Sequence, residues 1–446
     1  MNQISIGNAS SGWLILSGES VSAPFKGASL SPVCSSSPMV EDEIILSLEG
    51  TPTQISTGLA ALEKARQRAA LYDRAGCPSP QYLRVQPLAG GEFFTAPLSD
   101  LRFEFNPDGY NTHQSGSLIV TLHFTRPNAF DGSQVELPLT NRSGEDVTGG
   151  IPLFNHTDYH TAHDSSVLIK PGDIESSLPA PLRIELENTF ASGVLRDLYV
   201  GLYHHPACSD DDLFFLQIND FTGGTQLYDT SAVNDYYCRF SFGSPGWTSF
   251  GYWTLSNDQV NNLAGRSYRP ILLFFNAHAY TDLYLKIKLQ KGANVLWESD
   301  PVYADPSFQY LLFPPVQIPP HRLLGELIPH HVDLHLYGQH ETSGSYQVDV
   351  DQLHLLPLDS AASFLGFYDM NQADVLIDDS FRGLHNVHYS ALGSETIAHL
   401  RQGGPLLLYP GEYNRLFFVQ VNGSNQVFLW RTVSLSAFYR KRVRML

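Results

Sequence analysis

Charged side chains are scarce in this sequence, and positively charged ones are the scarcest. Asp, Glu, Lys and Arg make up 16% of the 446 residues, against about 25% in ordinary soluble domains. The 27 Lys and Arg stand against 45 Asp and Glu, which gives a net charge of −18 at pH 7. Because contacts with phosphate groups need cations, this balance argues against general nucleic-acid binding. We therefore expect no nucleic-acid partner.

Cysteine and long apolar runs are also scarce. The four cysteines include no C-x-x-C pair, so we expect buried thiols and neither a zinc ribbon nor a redox site. No run of 18 apolar residues occurs, and we expect no membrane span. The first twenty residues lack a basic segment followed by a long apolar one, so we expect no secretory signal peptide and synthesis in the cytoplasm.

Catalytic motifs are absent as well. The sequence has no G-x-S-x-G elbow and no glycine-rich phosphate loop between a strand and a helix. The acids in Asp210–Asp212 and Asp378–Asp379 are adjacent in sequence, and neighbours on a strand point to opposite faces. Such neighbours do not form an acid/base pair. We predict no catalytic residue, no cofactor and no enzymatic activity.

Two histidine groups have spacings that could bind a metal. His156, His160 and His163 would share one face of a helix, but the polar residues around them indicate a loop. His331, Asp333 and His335 share one face of a predicted strand. Such a face is more often exposed to solvent or part of an interface than a metal site. We predict no metal site at either place.

One long amphipathic helix is predicted over residues 51 to 75. Thr51 as N-cap, Pro52 at the first helical position and Gln54 at the third form a capping box. Steps of three and four residues make a single apolar stripe, formed by Ile55, Leu59, Leu62, Ala65, Ala69 and Tyr72. One such helix is not stable alone in water. We expect it to pack on a sheet that includes the flanking strand-like runs, 43–48 and 81–86.

The rest of the sequence favours short strands. Aromatic residues reach 12%, and 35 Gly and 28 Pro supply turns. Residues 263 to 358 contain about six strand-like runs at roughly 8–12-residue spacing, which is typical of a β-sandwich or jelly roll. Residues 415–421 and 428–438 are predicted to pair as a hairpin. The fold class is therefore mostly β, with an α+β domain of one helix packed on a sheet plus a jelly-roll β-sandwich.

The predicted division has three parts. Residues 1–145 form the α+β domain, which we expect to drive oligomerisation, and residues 146–360 form the jelly roll. Residues 361–446 form a C-terminal hairpin region that could complete the N-terminal domain.

An aromatic-rich loop is predicted from Asn234 to Trp253. Flat aromatic rings there could stack on sugar rings, and the candidate glycan-binding residues are Tyr236, Tyr237, Trp247, Tyr252 and Trp253. The same residues could instead fill a core or a subunit contact, where aromatic side chains are also enriched. The sequence leaves both interpretations open.

The chain ends with a basic segment containing Arg440, Lys441, Arg442 and Arg444. No Pro or Gly interrupts it, so we expect it to continue the preceding strand. In an acidic protein, several converging cations could dock on an adjacent subunit and set its orientation. We predict that these four residues form an inter-subunit contact.

The order of these segments resembles that of tail structural proteins of tailed bacteriophages and prophages. Three stretches carry the resemblance: LEGTPTQISTGLAALEKARQRAALYDRAG, AGRSYRPILLFF through VDVDQLHLLPLD, and YPGEYNRLFF through VSLSAFYRKR. The resemblance implies a non-enzymatic distal-tail or tail-tip adaptor protein with a galectin-like sandwich. Such a protein would form a homo-oligomeric ring in a virion, contact other tail proteins and could bind a host cell-surface glycan. The alternative is a lectin-like β-sandwich protein that contacts cell-surface glycans by itself.

Overall fold

The chain forms two compact units in a computed structural model. The described residues are 3–31, 37–72, 81–105, 116–140, 144, 146, 166–189, 194–195, 197–205, 215–230, 232, 235–243, 245–319, 331–366, 369–380, 385–389, 395–396, 399–421 and 433–444. Unit 1 comprises Met1–Val135, Ser176–Pro179 and Arg440–Leu446, and unit 2 comprises Glu136–Glu175 and Ala180–Tyr439. These two units differ from the three domains that the sequence predicts, with boundaries at residues 145 and 360, and the three-domain division stays a prediction.

Unit 1 combines one helix with antiparallel sheets, as predicted. The helix is α1 (Pro52–Tyr72). The strands are β1 (Gln3–Asn8), β2 (Gly12–Ser17), β3 (Phe25–Ser31), β4 (Met39–Glu49), β5 (Tyr82–Gln86), β6 (Phe94–Pro97), β7 (Ser99–Phe105), β8 (Ser117–Pro127) and β9 (Phe130–Glu136). One sheet has the order β3-β4-β8-β7, and a second includes the order β2-β1-β5-β6.

Helix α1 begins where the capping box predicts. The amide N of Thr51 donates to Gln54 Oε1 at 2.8 Å, and the amide N of Gln54 donates to Thr51 Oγ1 at 3.3 Å. Ile55, Leu62 and Ala69 of the apolar stripe are buried in the core that the helix forms with the sheets. The amphipathic pattern therefore identified the face of α1 that packs on β4 and β7. The predicted end at Ala75 lies outside the described residues.

In its described residues, unit 2 contains antiparallel sheets, two single-turn 3-10 helices and one short α-helix, α2 (Asn257–Leu263). Its strands are β10 (Ser166–Ile169), β11 (Ala180–Asn188), β12 (Asp197–His205), β13 (Phe215–Gln217), β14 (Phe221–Thr222), β15 (Thr225–Tyr228), β16 (Tyr236–Phe242), β17 (Thr248–Leu255), β18 (Ser267–Phe274), β19 (Leu283–Lys291), β20 (Asn294–Glu298), β21 (Val302–Tyr303), β22 (Tyr310–Leu312), β23 (Val316–Gln317), β24 (Val332–His340), β25 (Tyr346–Pro357), β26 (Ala361–Gly366), β27 (Val375–Asp379), β28 (His385–Tyr389), β29 (Glu395–Thr396), β30 (His399–Gly403), β31 (Leu407–Leu408), β32 (Tyr413–Val421) and β33 (Val433–Val443).

The predicted β-sandwich is present in unit 2. One sheet has the order β15-β16-β25-β18-β22, and the other has the order β14-β17-β24-β19-β20. Between them lies a large apolar core that includes Phe240, Trp253, Leu272, Leu285 and Leu334. The strand-rich region from 263 to 358 supplies strands to both sheets, which confirms the mostly β fold class.

A further sheet of unit 2 has the order β10-β32-β12-β26-β30, and its central strand β12 is buried on both faces from Asp197 to Tyr203. Along β12, Leu198 and Val200 belong to one apolar core, whereas Tyr199 and Tyr203 belong to the core of the sandwich. Strands buried on both faces lose the apolar–polar alternation that marks a half-exposed strand. The sequence therefore predicted one sandwich and missed the second core of this unit.

Two predictions about local structure are wrong. Residues 415–438 do not form a hairpin in the described part of the chain, because β32 pairs with β10 and β12 whereas β33 pairs with β11. The aromatic segment 234–253 is not one loop, because it forms most of the two strands β16 and β17. No helix in the described ranges is both long and apolar enough to cross a membrane.

Candidate functional site

The outer face of the sheet β14-β17-β24-β19-β20 carries aromatic and charged side chains in register. Strands β19 and β24 alternate between buried and half-buried residues, so every second side chain points away from the core. The strand pairings align Tyr252, His335, Lys288 and Glu298 in one row across four strands. We call this surface the aromatic–lysine face and define it by Trp247, Tyr252, Lys286, Lys288, Glu298, His335 and Tyr337.

A β-bulge decides which aromatic side chains of β17 reach this face. Ser249 pairs with Tyr337 and Gly251 pairs with Leu336, so the register shifts between Ser249 and Gly251. Gly251 has a φ of +139°, and a Cβ there would lie 2.1 Å from the carbonyl oxygen of Thr222. The extra residue reverses the alternation. As a result Tyr252 points outward and Trp253 points into the core.

Two of the predicted glycan-binding residues are buried. Trp253 is 1% exposed, and its Nε1 donates a hydrogen bond to the carbonyl of Gln217 at 2.9 Å. Tyr237 is 9% exposed, and its ring stacks on Phe275 with centroids 4.2 Å apart. A ring covered by protein cannot stack on a sugar, so these two predictions are wrong. Trp253 belongs to the core of the sandwich, whereas Phe275 covers the ring of Tyr237.

The lysines of the face lie against aromatic rings and share one carboxylate. Lys286 Nζ lies 4.2 Å from the centroid of Trp247, and Lys288 Nζ lies 4.8 Å from that of Tyr337. Both ammonium groups reach Glu298 Oε1, at 2.7 and 3.2 Å. The hydrogen bond from Lys286, aided by that from Lys288, lowers the pKa of Glu298. The ammonium of Lys286 therefore covers one face of the Trp247 ring and fixes its position.

The polar part of the face lies beside Tyr252. The ring centroids of Tyr252 and His335 are 4.9 Å apart, and those of His335 and Tyr337 are 6.2 Å apart. Burial lowers the pKa of His335 although Asp333 acts in the opposite direction, which favours the neutral imidazole. Thr254 Oγ1 donates to Asp333 Oδ1 at 2.8 Å in the next row of the sheet. Aromatic rings, hydroxyls, a carboxylate and an imidazole thus meet on rigid strands.

The remaining predicted aromatic residue, Tyr236, lies on a different sheet. It sits opposite Tyr228 in the hairpin of β15 and β16, with ring centroids 5.5 Å apart. Both rings are exposed, Tyr228 by 64% and Tyr236 by 38%. Of the five predicted glycan-binding residues, only Trp247 and Tyr252 therefore belong to the aromatic–lysine face.

Sequence reasoning missed most of the face, although a usable signal was present. Alternation in β19 and β24 places Lys286, Lys288, His335 and Tyr337 on one side of the sheet. The same alternation predicted that Asp333 and His335 share a face, which the structure confirms. The three histidines of the 156–163 segment lie outside the described residues.

The basic C-terminal segment continues strand β33 to Val443, as predicted. Arg442 Nε lies 2.7 Å from Asp131 Oδ1, and the amide N of Arg442 donates to Ser176 Oγ at 3.0 Å. The Arg442 guanidinium is thus paired within its own chain, and its contact with another subunit stays a prediction. The docking of Arg440, Lys441 and Arg444 on another subunit stays a prediction.

Comparisons with known proteins identify no family. No protein-family model matches the sequence, and no curated protein matches it. Among solved structures, the chain is similar to a protein of Parabacteroides distasonis (9% identity over 56% of this chain and 98% of that chain, TM-score 0.18). It is also similar to the VP2 subviral particle of infectious bursal disease virus (8% identity, 69% of this chain and 80% of that chain, TM-score 0.19). Likenesses at these TM-scores do not assign a fold family or a function, so the class defined here is that of a multi-sheet antiparallel β-sandwich protein.

Proposed function

We propose that this protein binds carbohydrate, without enzymatic activity, through the aromatic–lysine face of its β-sandwich. One observation carries the proposal: the bulge at Gly251 turns Tyr252 outward, beside His335 and in the row next to Asp333. Binding sites combine apolar, often aromatic surface with a few polar groups that fix orientation. A sugar ring has the matching chemistry, because it presents C–H groups on one face and hydroxyls around its edge.

The rigidity of the face supports this proposal. Apart from Trp247, which directly precedes β17, its side chains stand on paired strands rather than loops, and Lys286 and Lys288 are held between Glu298 and the rings. Sites on strands hold their geometry better than sites on loops. Neutral His335 can accept a hydrogen bond from a sugar hydroxyl, and the Asp333 carboxylate can accept another. The face therefore offers hydrogen-bond acceptors next to an aromatic platform.

A glycan array tests this proposal with matched variants. The wild-type protein should bind a defined set of glycans, and Tyr252→Ala and Asp333→Asn should each abolish most of that signal. Tyr228→Ala is the control, because Tyr228 is an exposed tyrosine on the other sheet of the sandwich. Equal binding by wild type and Tyr252→Ala, or loss only in Tyr228→Ala, would contradict the proposal.

A second candidate function is a structural component of a phage-type tail, assembled as a homo-oligomeric ring in a virion. One observation favours self-association. Ile45 and Ile119 are 51% and 53% exposed on the outer face of adjacent strands β4 and β8. Large exposed apolar side chains on one surface indicate a protein contact, and symmetric homo-oligomers are the commonest assemblies. In this proposal unit 1 supplies the ring contacts, other tail proteins bind the ring, and the aromatic–lysine face contacts a host cell-surface glycan.

Two measurements address this second candidate. Sedimentation velocity of the purified protein should show an oligomer whose stability falls in Ile45→Ser and Ile119→Ser. Mass spectrometry of purified particles should find the chain together with tail proteins. A protein that stays monomeric at all concentrations and is missing from such particles would refute the ring.

A further inference from the structure

Arg84 is held between two aromatic rings on the outer surface of unit 1. Its guanidinium carbon lies 4.0 Å from the centroid of Trp13 and 4.4 Å from that of Phe93. The Nε of Arg84 donates to Ser5 Oγ on the neighbouring strand at 3.1 Å. Stacking and this hydrogen bond fix the plane of the guanidinium, which leaves its two terminal nitrogens to bind another group.

No carboxylate of the described residues pairs with Arg84. Several other arginines of the chain pair with an Asp or Glu. They are Arg66, Arg102, Arg126, Arg183, Arg239, Arg266, Arg401 and Arg442. Burial lowers the pKa of Arg84, and no carboxylate acts in the opposite direction. In a chain with 45 Asp and Glu, a stacked arginine without an acidic partner suggests that the partner comes from another molecule.

The surroundings of Arg84 match the chemistry of a protein interface. Residues that dominate binding energy are enriched in Trp, Tyr and Arg, in partly buried, rigid clusters. Trp13 and Phe93 are half-buried, and Leu88, at the tip of the same β5–β6 hairpin as Phe93, is 74% exposed. The rings and the leucine would lose water on contact, while the guanidinium would bind both oxygens of one carboxylate.

We propose that Trp13, Arg84 and Phe93 form the centre of a self-association surface, with Arg84 binding a carboxylate of a second copy of this chain. The composition supports this occupant, because a second copy offers 45 Asp and Glu against 27 Lys and Arg, so a carboxylate is the charged group that Arg84 would meet most often. The inference rests on the self-association proposed above and adds the surface that produces it. It is independent of the glycan proposal.

Sedimentation velocity across a concentration and salt series tests this surface. The full-length chain should self-associate, and Arg84→Met should weaken the association by at least about tenfold, as expected when a central arginine is lost. Arg84→Lys keeps the charge but loses the planar fork, so it should also weaken association. Arg102→Met is the matched control, because Arg102 is an exposed arginine of unit 1 that already pairs with Asp100.

The outcomes separate this inference from the proposal on which it rests. A wild-type chain that remains monomeric overturns both. A wild-type oligomer that Arg84→Met and Arg84→Lys leave unchanged overturns only this surface. If Arg84→Met fails to fold in a thermal melt, Arg84→Lys decides the question. Loss of carboxylated glycans from the array in Arg84→Lys, with unchanged association, would assign Arg84 to a sugar and also overturn the inference.

Discussion

Asp42 and Arg126 form a buried ion pair between adjacent strands of unit 1. Arg126 Nη2 lies 2.6 Å from Asp42 Oδ2, and the two side chains are 3% and 0% exposed. The Arg126 guanidinium also lies 4.3 Å from the centroid of Phe130. Because water cannot replace a lost partner at such a site, each charge depends on the other.

Asp42→Asn should therefore strongly destabilise the protein. The substitution leaves the Arg126 charge buried without its partner, and we expect a loss of about 3–5 kcal/mol in the free energy of unfolding. The control is Asp100→Asn, which removes an exposed pair with Arg102 and should cost about 0–1 kcal/mol. Urea unfolding of both variants measures the difference. Equal, small losses would show that the Asp42 pair contributes no more than a surface pair.

Removal of the capping box should weaken helix α1. Thr51→Ala loses the acceptor for the amide of Gln54 and should cost about 0.5–2 kcal/mol. Thr57→Ala is the control within the same helix, where the Thr57 hydroxyl only bonds the carbonyl of Thr53. Because alanine favours helix more than threonine, this control should change stability little or raise it by up to about 0.7 kcal/mol. A larger loss in Thr57→Ala than in Thr51→Ala would contradict this view of the helix start.

His354 should make stability depend on pH. Burial lowers its pKa to about 3 in the folded protein, whereas an unfolded-chain histidine titrates near about 6.5. Between these values the unfolded state binds one more proton than the folded state. Stability from this group is therefore complete above about pH 6.5 and falls as the pH drops, by up to about 1.4 kcal/mol per pH unit.

The variant His354→Gln isolates this contribution, because acidic groups titrate equally in both proteins. Chemical unfolding from pH 7, which lies above both pKa values, down to pH 4, which lies between them, should show a steeper loss of stability for wild type. Parallel stability curves for the two proteins would contradict a neutral, buried His354.

The bulge in β17 predicts unequal losses of stability for substitutions at two neighbouring aromatic residues. Trp253→Ala should empty part of the sandwich core and cost about 3–5 kcal/mol, because Trp253 is fully buried. Tyr252→Ala should change stability by no more than about 1 kcal/mol, since its ring lies on the outer face. Thermal or urea unfolding compares them. A larger loss of stability in Tyr252→Ala than in Trp253→Ala would contradict the position of the bulge at Gly251.

Local signals predicted the parts of the fold that depend on nearby residues. The Thr51–Gln54 capping box and the apolar steps gave the start and the buried face of α1. The apolar–polar alternation of β8 from Leu118 to Phe124 likewise coincides with its buried side. These patterns follow from the geometry of one element, so the sequence of that element is sufficient to read them.

Features set by distant partners could not be read in this way. The bulge at Gly251 reverses the alternation in β17, so strand parity alone does not distinguish Tyr252 from Trp253. The separate partners of β32 and β33 depend on strands more than two hundred residues away. Sequence periodicity carries no information about such pairings, which explains the wrong hairpin and the missed second core of unit 2.

The central claim is that Tyr252 forms the platform of a sugar-binding face. The most direct measurement is a crystal structure of the protein bound to its strongest glycan-array ligand. We predict that a sugar ring lies against the ring of Tyr252 at van der Waals distance, within about 4 Å, with hydroxyls hydrogen-bonded to Asp333 or His335. A sugar bound away from this face, for example at Tyr228 and Tyr236, would contradict the claim.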